Sequence, residues 1–129
     1  MNKIIVEVSI GELLDKISIL EIKQEKIKDP EKLKFIFDEH SVLKEQLDKN
    51  VKPDDKLDNL FQSLKDINSK LWLIEDDKRQ CERDKDFGEK FIKLSRDVHF
   101  LNDDRAKIKL EINNHTGSVI KEIKEYTDY

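Results

Sequence analysis

Six polar residues break into the apolar helical stripes of this 129-residue chain: Glu21, Glu75, Arg79, Asn102, Arg105 and Lys109. Burying an unpaired polar group costs about 1–3 kcal/mol, and a charge costs more, so each of these needs a partner or a ligand. Together they have the composition of a small anion site. Arg79, Arg105 and Lys109 suit phosphate or carboxylate, the arginines in bidentate fashion. Glu21 and Glu75 would orient those cations or act as a general acid or base. The same six residues also suit a second role, internal ion pairs that fix the register of packed helices. Arginine usage sharpens the question. There are 21 lysines spread along the chain but only four arginines, Arg79, Arg83, Arg96 and Arg105, all within one segment. Lysine cannot reproduce the planar two-pronged geometry of a guanidinium, so arginines kept in a lysine-rich chain mark positions where that geometry matters.

Other catalytic constellations fail. Acid pairs three residues apart, such as Glu12/Asp15 and Glu45/Asp48, suggest helical metal-dependent pyrophosphatases, but they are no more frequent than 29 acids in 129 positions produce by chance. His40, His99 and His115 are isolated from one another, and no His-x-x-x-His or Glu-x-x-His pair exists, so no metal site is expected. His40 falls on a core stripe and reads as a partly buried, satisfied histidine. Cys81, the single cysteine, reads as a small apolar core residue rather than a nucleophile. Three scattered glycines exclude a glycine-rich phosphate loop. Trp72 is read as a packing anchor, with a ligand platform as the alternative.

The elements that must position the six residues are helices. Lys3 to Val8 alternates like a short strand, and Ser9-Ile10-Gly11-Glu12 then fits a capping box, with Glu12 reaching back to the cap. The first helix is predicted to run to about Lys28, stopping at Asp29-Pro30, and the second from about Pro30 to Lys49. The third is predicted over about Asp54 to Arg83, with Leu57, Leu60, Leu64, Ile67, Leu71, Ile74, Lys78 and Cys81 in heptad spacing. Asp84 to Gly88 interrupts it. The fourth runs from about Glu89 to His115, with Phe91, Leu94, Val98, Leu101, Arg105, Ile108 and Ile112 in the same spacing, and Gly117 as its cap. The tail from Ser118 to Tyr129 is read as a strand pairing with Lys3 to Val8, since a lone strand needs a partner, or else as a frayed helix. The expected architecture is all-α: one domain over residues 1–129, an antiparallel helical bundle built on a long helical hairpin, with a small two-stranded β pairing of the termini.

Composition agrees with that architecture. Glycine and proline together number only five, too few for a sandwich, barrel or Rossmann-type domain. The longest run without Asp, Glu, Lys or Arg is nine residues, Ile112 to Ile120, against about 20 apolar residues for a membrane-spanning helix. No signal-peptide pattern opens the chain, and a single cysteine suits a reducing cytoplasm. A net charge of −4 without a dense basic tract argues against nucleic-acid binding.

The sequence resembles a small uncharacterised bacterial helical family, domain-of-unknown-function family 6165. The likeness is carried by Val8-Ser-Ile-Gly-Glu-Leu-Leu-Asp-Lys-Ile-Ser-Ile-Leu-Glu-Ile-Lys23 and Ile27-Lys-Asp-Pro-Glu-Lys-Leu33. It continues in Leu71-Trp-Leu-Ile-Glu-Asp76, Cys81-Glu82, Phe87-Gly88, Phe91-Ile92, Arg96-Asp-Val98 and Asn102-Asp-Asp-Arg-Ala-Lys-Ile-Lys109. Ile112-Asn113, Gly117-Ser118, Lys124 and Tyr126 complete it. The segment from Phe35 to Lys65 matches only in periodicity, and Lys, Ile and Asn replace much of the usual Ala, Arg and Leu, as in an AT-rich bacterium or phage. The resemblance implies a helical protein of about this length and an association with glycosyltransferases and other surface-polysaccharide proteins. It implies no catalytic residues, although the family's polar pattern matches Glu21, Glu75, Asn102, Arg105 and Lys109.

Three functional expectations follow. The first is an accessory or binding protein of bacterial or phage glycan metabolism, using the six residues to hold an anionic ligand or to dock a partner such as a glycosyltransferase. The second is a small enzyme acting on an anionic sugar or nucleotide-sugar, with Glu21 or Glu75 as acid–base and Arg79, Arg105 and Lys109 as the clamp. The third is a structural coiled-coil homodimer. No cofactor is implied by any of them.

Overall fold

The computed structural model describes residues 2–128 and holds four helices: α1 (Ile10–Lys26), α2 (Pro30–Asn50), α3 (Asp55–Asp84) and α4 (Glu89–Thr116). The caps explain the boundaries. Ser9 sits extended before α1 and its hydroxyl accepts the Glu12 N–H. Asp29 is drawn to extended backbone by Pro30 and caps α2, so α1 must end earlier than Lys28, with Ile27 already extended. Asp54 is the cap of α3 rather than its first residue, accepting the Leu57 N–H at 2.7 Å. Gly117 closes α4 in the left-handed conformation that glycine tolerates.

α1 is the hub. It packs on all three other helices, α3 packs on α4, and the backbone of α2 approaches α1 alone. Partners on α4 run in reverse along α1, Gly11 meeting Asn113 and Asp15 meeting Arg105, while on α3 Asp15 meets Asn68 and Glu21 meets Lys65. α1 therefore runs antiparallel to α4 and lies against both helices of the hairpin that α3 and α4 form. Leu14, Leu57, Leu64 and Ile112 make the central apolar cluster, with Ile10, Leu47, Val51, Leu60, Phe61 and Ile108 around it. α3 has 30 residues and α4 has 28, against 17 in α1. At 1.5 Å per residue the hairpin outruns α1 by roughly 15–20 Å. Leu73, Phe87 and Ile92 stay exposed toward its loop end. Among the described residues no helix is long and apolar enough to cross a membrane.

The expected β pairing of the termini is absent among the described residues: residues 3–8 and 119–128 form neither strand nor ladder. Side chains occupy the positions where a ladder would begin. The Ser118 hydroxyl accepts the Ile10 N–H at 3.1 Å and donates to the Ile120 carbonyl at 2.8 Å, and Glu122 ties the tail to Lys109. Tyr129, the last residue of the predicted tail strand, lies outside the described residues.

The N-terminus of α1 is seated on the end of α4 with no room to spare. Gly11 donates its N–H to Asn113 Oδ1 at 2.7 Å, and a Cβ on Gly11 would lie 2.6 Å from the Lys109 carbonyl oxygen. Gly11→Ala is thus expected to lower unfolding free energy by about 1–3 kcal/mol in urea titration, the usual cost of overpacking against atoms that cannot yield. Gly88→Ala is the control: its nearest neighbour is the exposed Asp86 side chain at 3.3 Å, and its effect should stay within about 0.5 kcal/mol.

Candidate functional site

The helices bring one carboxylate fully inside. On α1, Gly11, Asp15, Ser18 and Ile22 recur at spacings of four, three and four, placing small and polar residues on one face, and all four are buried. Asp15 is 1% exposed. Its carboxylate accepts Arg105 Nε at 3.0 Å on one oxygen and Arg105 Nη2 on the other, the bidentate geometry that only arginine supplies. Asn68 of α3 donates to the same Asp15 oxygen at 2.8 Å and to Ser18 Oγ at 2.8 Å. Lys109 lies 3.9 Å from Asp15, 2.6 Å from Glu12 and 3.2 Å from Glu122. One buried anion thus gathers cations from two turns of α4 and an amide from α3.

Burial by itself would raise the Asp15 carboxyl above its ordinary value. The hydrogen bonds from Arg105 and Asn68, with the charges of Arg105 and Lys109, outweigh it and hold the group below that value. The hydrogen bond to Asp15 holds Arg105 above its ordinary value despite burial. Burial would lower Lys109, but its bonds to Glu12 and Glu122 raise it instead. Asp15, Arg105 and Lys109 are accordingly charged at neutral pH, and the two cations already face carboxylates.

The six residues singled out in the sequence divide into three places. Arg105, Lys109 and Asn102 belong to the Asp15 cluster, Asn102 accepting from Arg105 Nη1 at 3.3 Å. Glu21 lies apart, bonded to His40 at 3.2 Å and Lys65 at 3.4 Å, where it joins α1 to α2 and α3. Glu75 and Arg79 form an exposed pair on α3, 2.9 Å apart. The Glu12 carboxylate goes to Lys109 rather than back to the cap, so only the Ser9 half of the expected capping box forms. His40 is the partly buried, partnered histidine its stripe position suggested, and Cys81 is buried at 3% exposure. Sequence reasoning missed Asp15, Asn68, Ser18, Glu12 and Asn113. The available signal was the Gly11/Asp15/Ser18 spacing beside Leu14.

The cluster forms one wall of an open groove of about 460 Å³ between α1 and α3. Ile19, Ile22 and Leu71 supply apolar lining, Trp72 an aromatic face, and Glu75, Asp76 and Arg79 a polar rim, with Asn68 and Arg105 at the buried side. The volume and the mixture of apolar lining with a few convergent polar groups fall in the usual range for small-molecule sites. Among the described residues, no group of three or more His, Cys, Asp or Glu could hold a metal ion. A larger cleft of about 530 Å³ separates α4 from the tail, lined by Leu110, Ile123 and Tyr126 with lysines and acids around them.

Fold and site define an all-helical protein with a buried ion-pair cluster beside an amphipathic groove. The chain belongs to a family of unknown function, DUF6165, whose model matches residues 4–128. No curated protein and no solved structure matches it.

A group held below its ordinary value when folded stabilises the fold above that value, and the benefit is lost as pH falls through the folded value. For Asp15 the ordinary value is 3.8, so the loss falls below about pH 4. Asp15→Asn should cost about 3–5 kcal/mol at pH 7, because it leaves Arg105 and Lys109 beside a neutral amide. Its stability should also fall less steeply than wild type between about pH 4 and 2. Urea unfolding across that range checks both; equal slopes would remove Asp15 as the acid-sensitive group.

Proposed function

We propose that this is a binding protein whose groove takes a sugar bearing an acidic group, such as a sugar phosphate or the sugar end of a nucleotide-sugar. The observation that carries the reading is the rim. Trp72 stands between apolar lining and Glu75, Asp76 and Arg79 in a groove whose far wall is held still by the Asp15–Arg105 pair. An aromatic face packs the apolar side of a sugar ring, and carboxylates accept its hydroxyl hydrogens. Arg79 is the natural anion contact. Its pairing with Glu75 is an exposed contact between residues one turn apart, worth only about 0.3–0.5 kcal/mol, so a ligand anion can displace it easily. Arg105 and Lys109 serve as supports, since their donors are already directed at Asp15, Glu12, Asn102 and Glu122. A cluster whose cations are already paired favours holding a ligand over proton transfer, and Glu21 is committed to His40 and Lys65. An accessory role beside a glycosyltransferase in bacterial or phage glycan metabolism, as the sequence resemblance implies, fits a module that presents or retains such a sugar.

Calorimetric titration with glucose 1-phosphate and UDP-glucose tests this. Binding in the high-micromolar to millimolar range is expected. Trp72→Ala and Arg79→Ala should each weaken it at least tenfold, and Arg79→Ala should leave urea unfolding within about 1 kcal/mol of wild type, because Arg79 is largely exposed. Absence of binding to every sugar phosphate and nucleotide-sugar at 10-millimolar concentration, or binding indifferent to both substitutions, would reject the groove.

A further inference from the structure

The two chain ends are built for pairing and are left unpaired. Residues 3–8 and 119–128 belong to no helix or strand, leave the body side by side at the Ile10–Ser118 hydrogen bond, and form no ladder with each other or with anything else described. Their apolar side chains stand in solvent: Ile4 is 89% exposed, Ile5 84%, Val6 69%, Val119 99%, Ile123 80% and Tyr126 72%. These uncovered β-branched and aromatic residues have the composition of strands, and uncovered segments of that kind recruit a partner strand. We propose that these two arms are the interface between two copies of this chain, residues 3–8 of one copy pairing with residues 120–126 of the other, and reciprocally.

The charges favour a second copy as the occupant. The chain as a whole is acidic, with a net charge of −4, yet Lys3 and Glu7 on the first arm cancel, as do Lys121, Glu122, Lys124 and Glu125 on the second. Two copies therefore meet at segments that carry no net repulsion, and the Lys and Glu present on both arms allow opposite charges to face across a ladder. Geometry points the same way. Both arms are tethered at one end of the molecule, Glu122 being fixed to Lys109 at 3.2 Å, so a two-fold axis at that end brings both reciprocal pairings together. Two such pairings supply four strands, above the threshold at which a small sheet is stable, whereas the two arms of one chain supply only a marginal hairpin. The proposal does not depend on the sugar groove, which lies between α1 and α3 away from the arms.

The test uses the full chain. Light scattering on a size-exclusion column should give a dimer at tens of micromolar. Ile5→Lys combined with Ile123→Lys should give a monomer whose helical circular dichroism and thermal midpoint in dilute solution match wild type, since both side chains are exposed in the single copy. Amide exchange of residues 3–8 and 120–126 should slow as concentration rises in wild type and stay fast in the variant. A wild-type monomer at all concentrations would overturn the proposal and leave the arms to a different partner. A dimer that survives both substitutions, or one whose arm amides exchange at free-chain rates, would overturn it in favour of another face such as the outer side of the α3–α4 hairpin.

Discussion

A carboxylate at 1% exposure cannot be left alone, and much of this molecule is arranged around that constraint at Asp15. Moving a charge out of water costs several kcal/mol, which only close, well-directed partners offset. Arg105 supplies two donors from α4, Asn68 one from α3, and Lys109 a second positive charge at 3.9 Å. Because the partners sit on different helices, satisfying Asp15 fixes the rotation and axial register of α1 against both members of the hairpin. Apolar packing through Leu14, Leu64 and Ile112 contributes to stability but tolerates sliding, whereas a bidentate pair does not. In this chain the interior ion pair is a device for register as much as for stability.

The same end of α1 shows how closely the helices must approach for this to work. The first three N–H groups of the helix, normally left to solvent, go to Ser118, Asn113 and Ser9. Gly11 admits the α4 backbone at that point, and Glu12 reaches across to Lys109 one turn before Asp15 does. Helix α2 is held differently. It buries only Ile36, its closest partner is α1, and Glu21 bridges it through His40. The molecule is thus a tightly registered three-helix unit with a fourth helix laid along its hub.

Most of this fold was legible. Ser9, Asp29-Pro30, Asp54 and Gly117 mark the helix ends to within two residues, because caps are local chemistry. The interior was harder. Asp15 is one acid among 29, and its i+3 pairing with Glu12 is no more frequent than chance. Glu21 interrupts the same helix but lies about 120° around it from Asp15, and so faces α2. Glu75 and Arg79 share the face of Asn68, but they sit roughly 10 and 16 Å farther along α3, past the reach of Arg105. Periodicity gives the angle of a side chain around its own helix. It does not give the axial offset between helices, and that offset decides which charges meet. The terminal strands failed for a related reason: alternation in residues 3–8 is real, but Ser118 and Glu122 direct the tail onto α4 before a ladder can start.

A double-mutant cycle on Asp15→Asn and Arg105→Gln, read by urea unfolding at pH 7, tests the register account most directly. A coupling energy of about 2 kcal/mol or more is expected, with the double variant far less damaged than the sum of the two single ones. Single effects that add within about 0.5 kcal/mol would contradict it, and would mean that α1 finds its place through apolar packing alone.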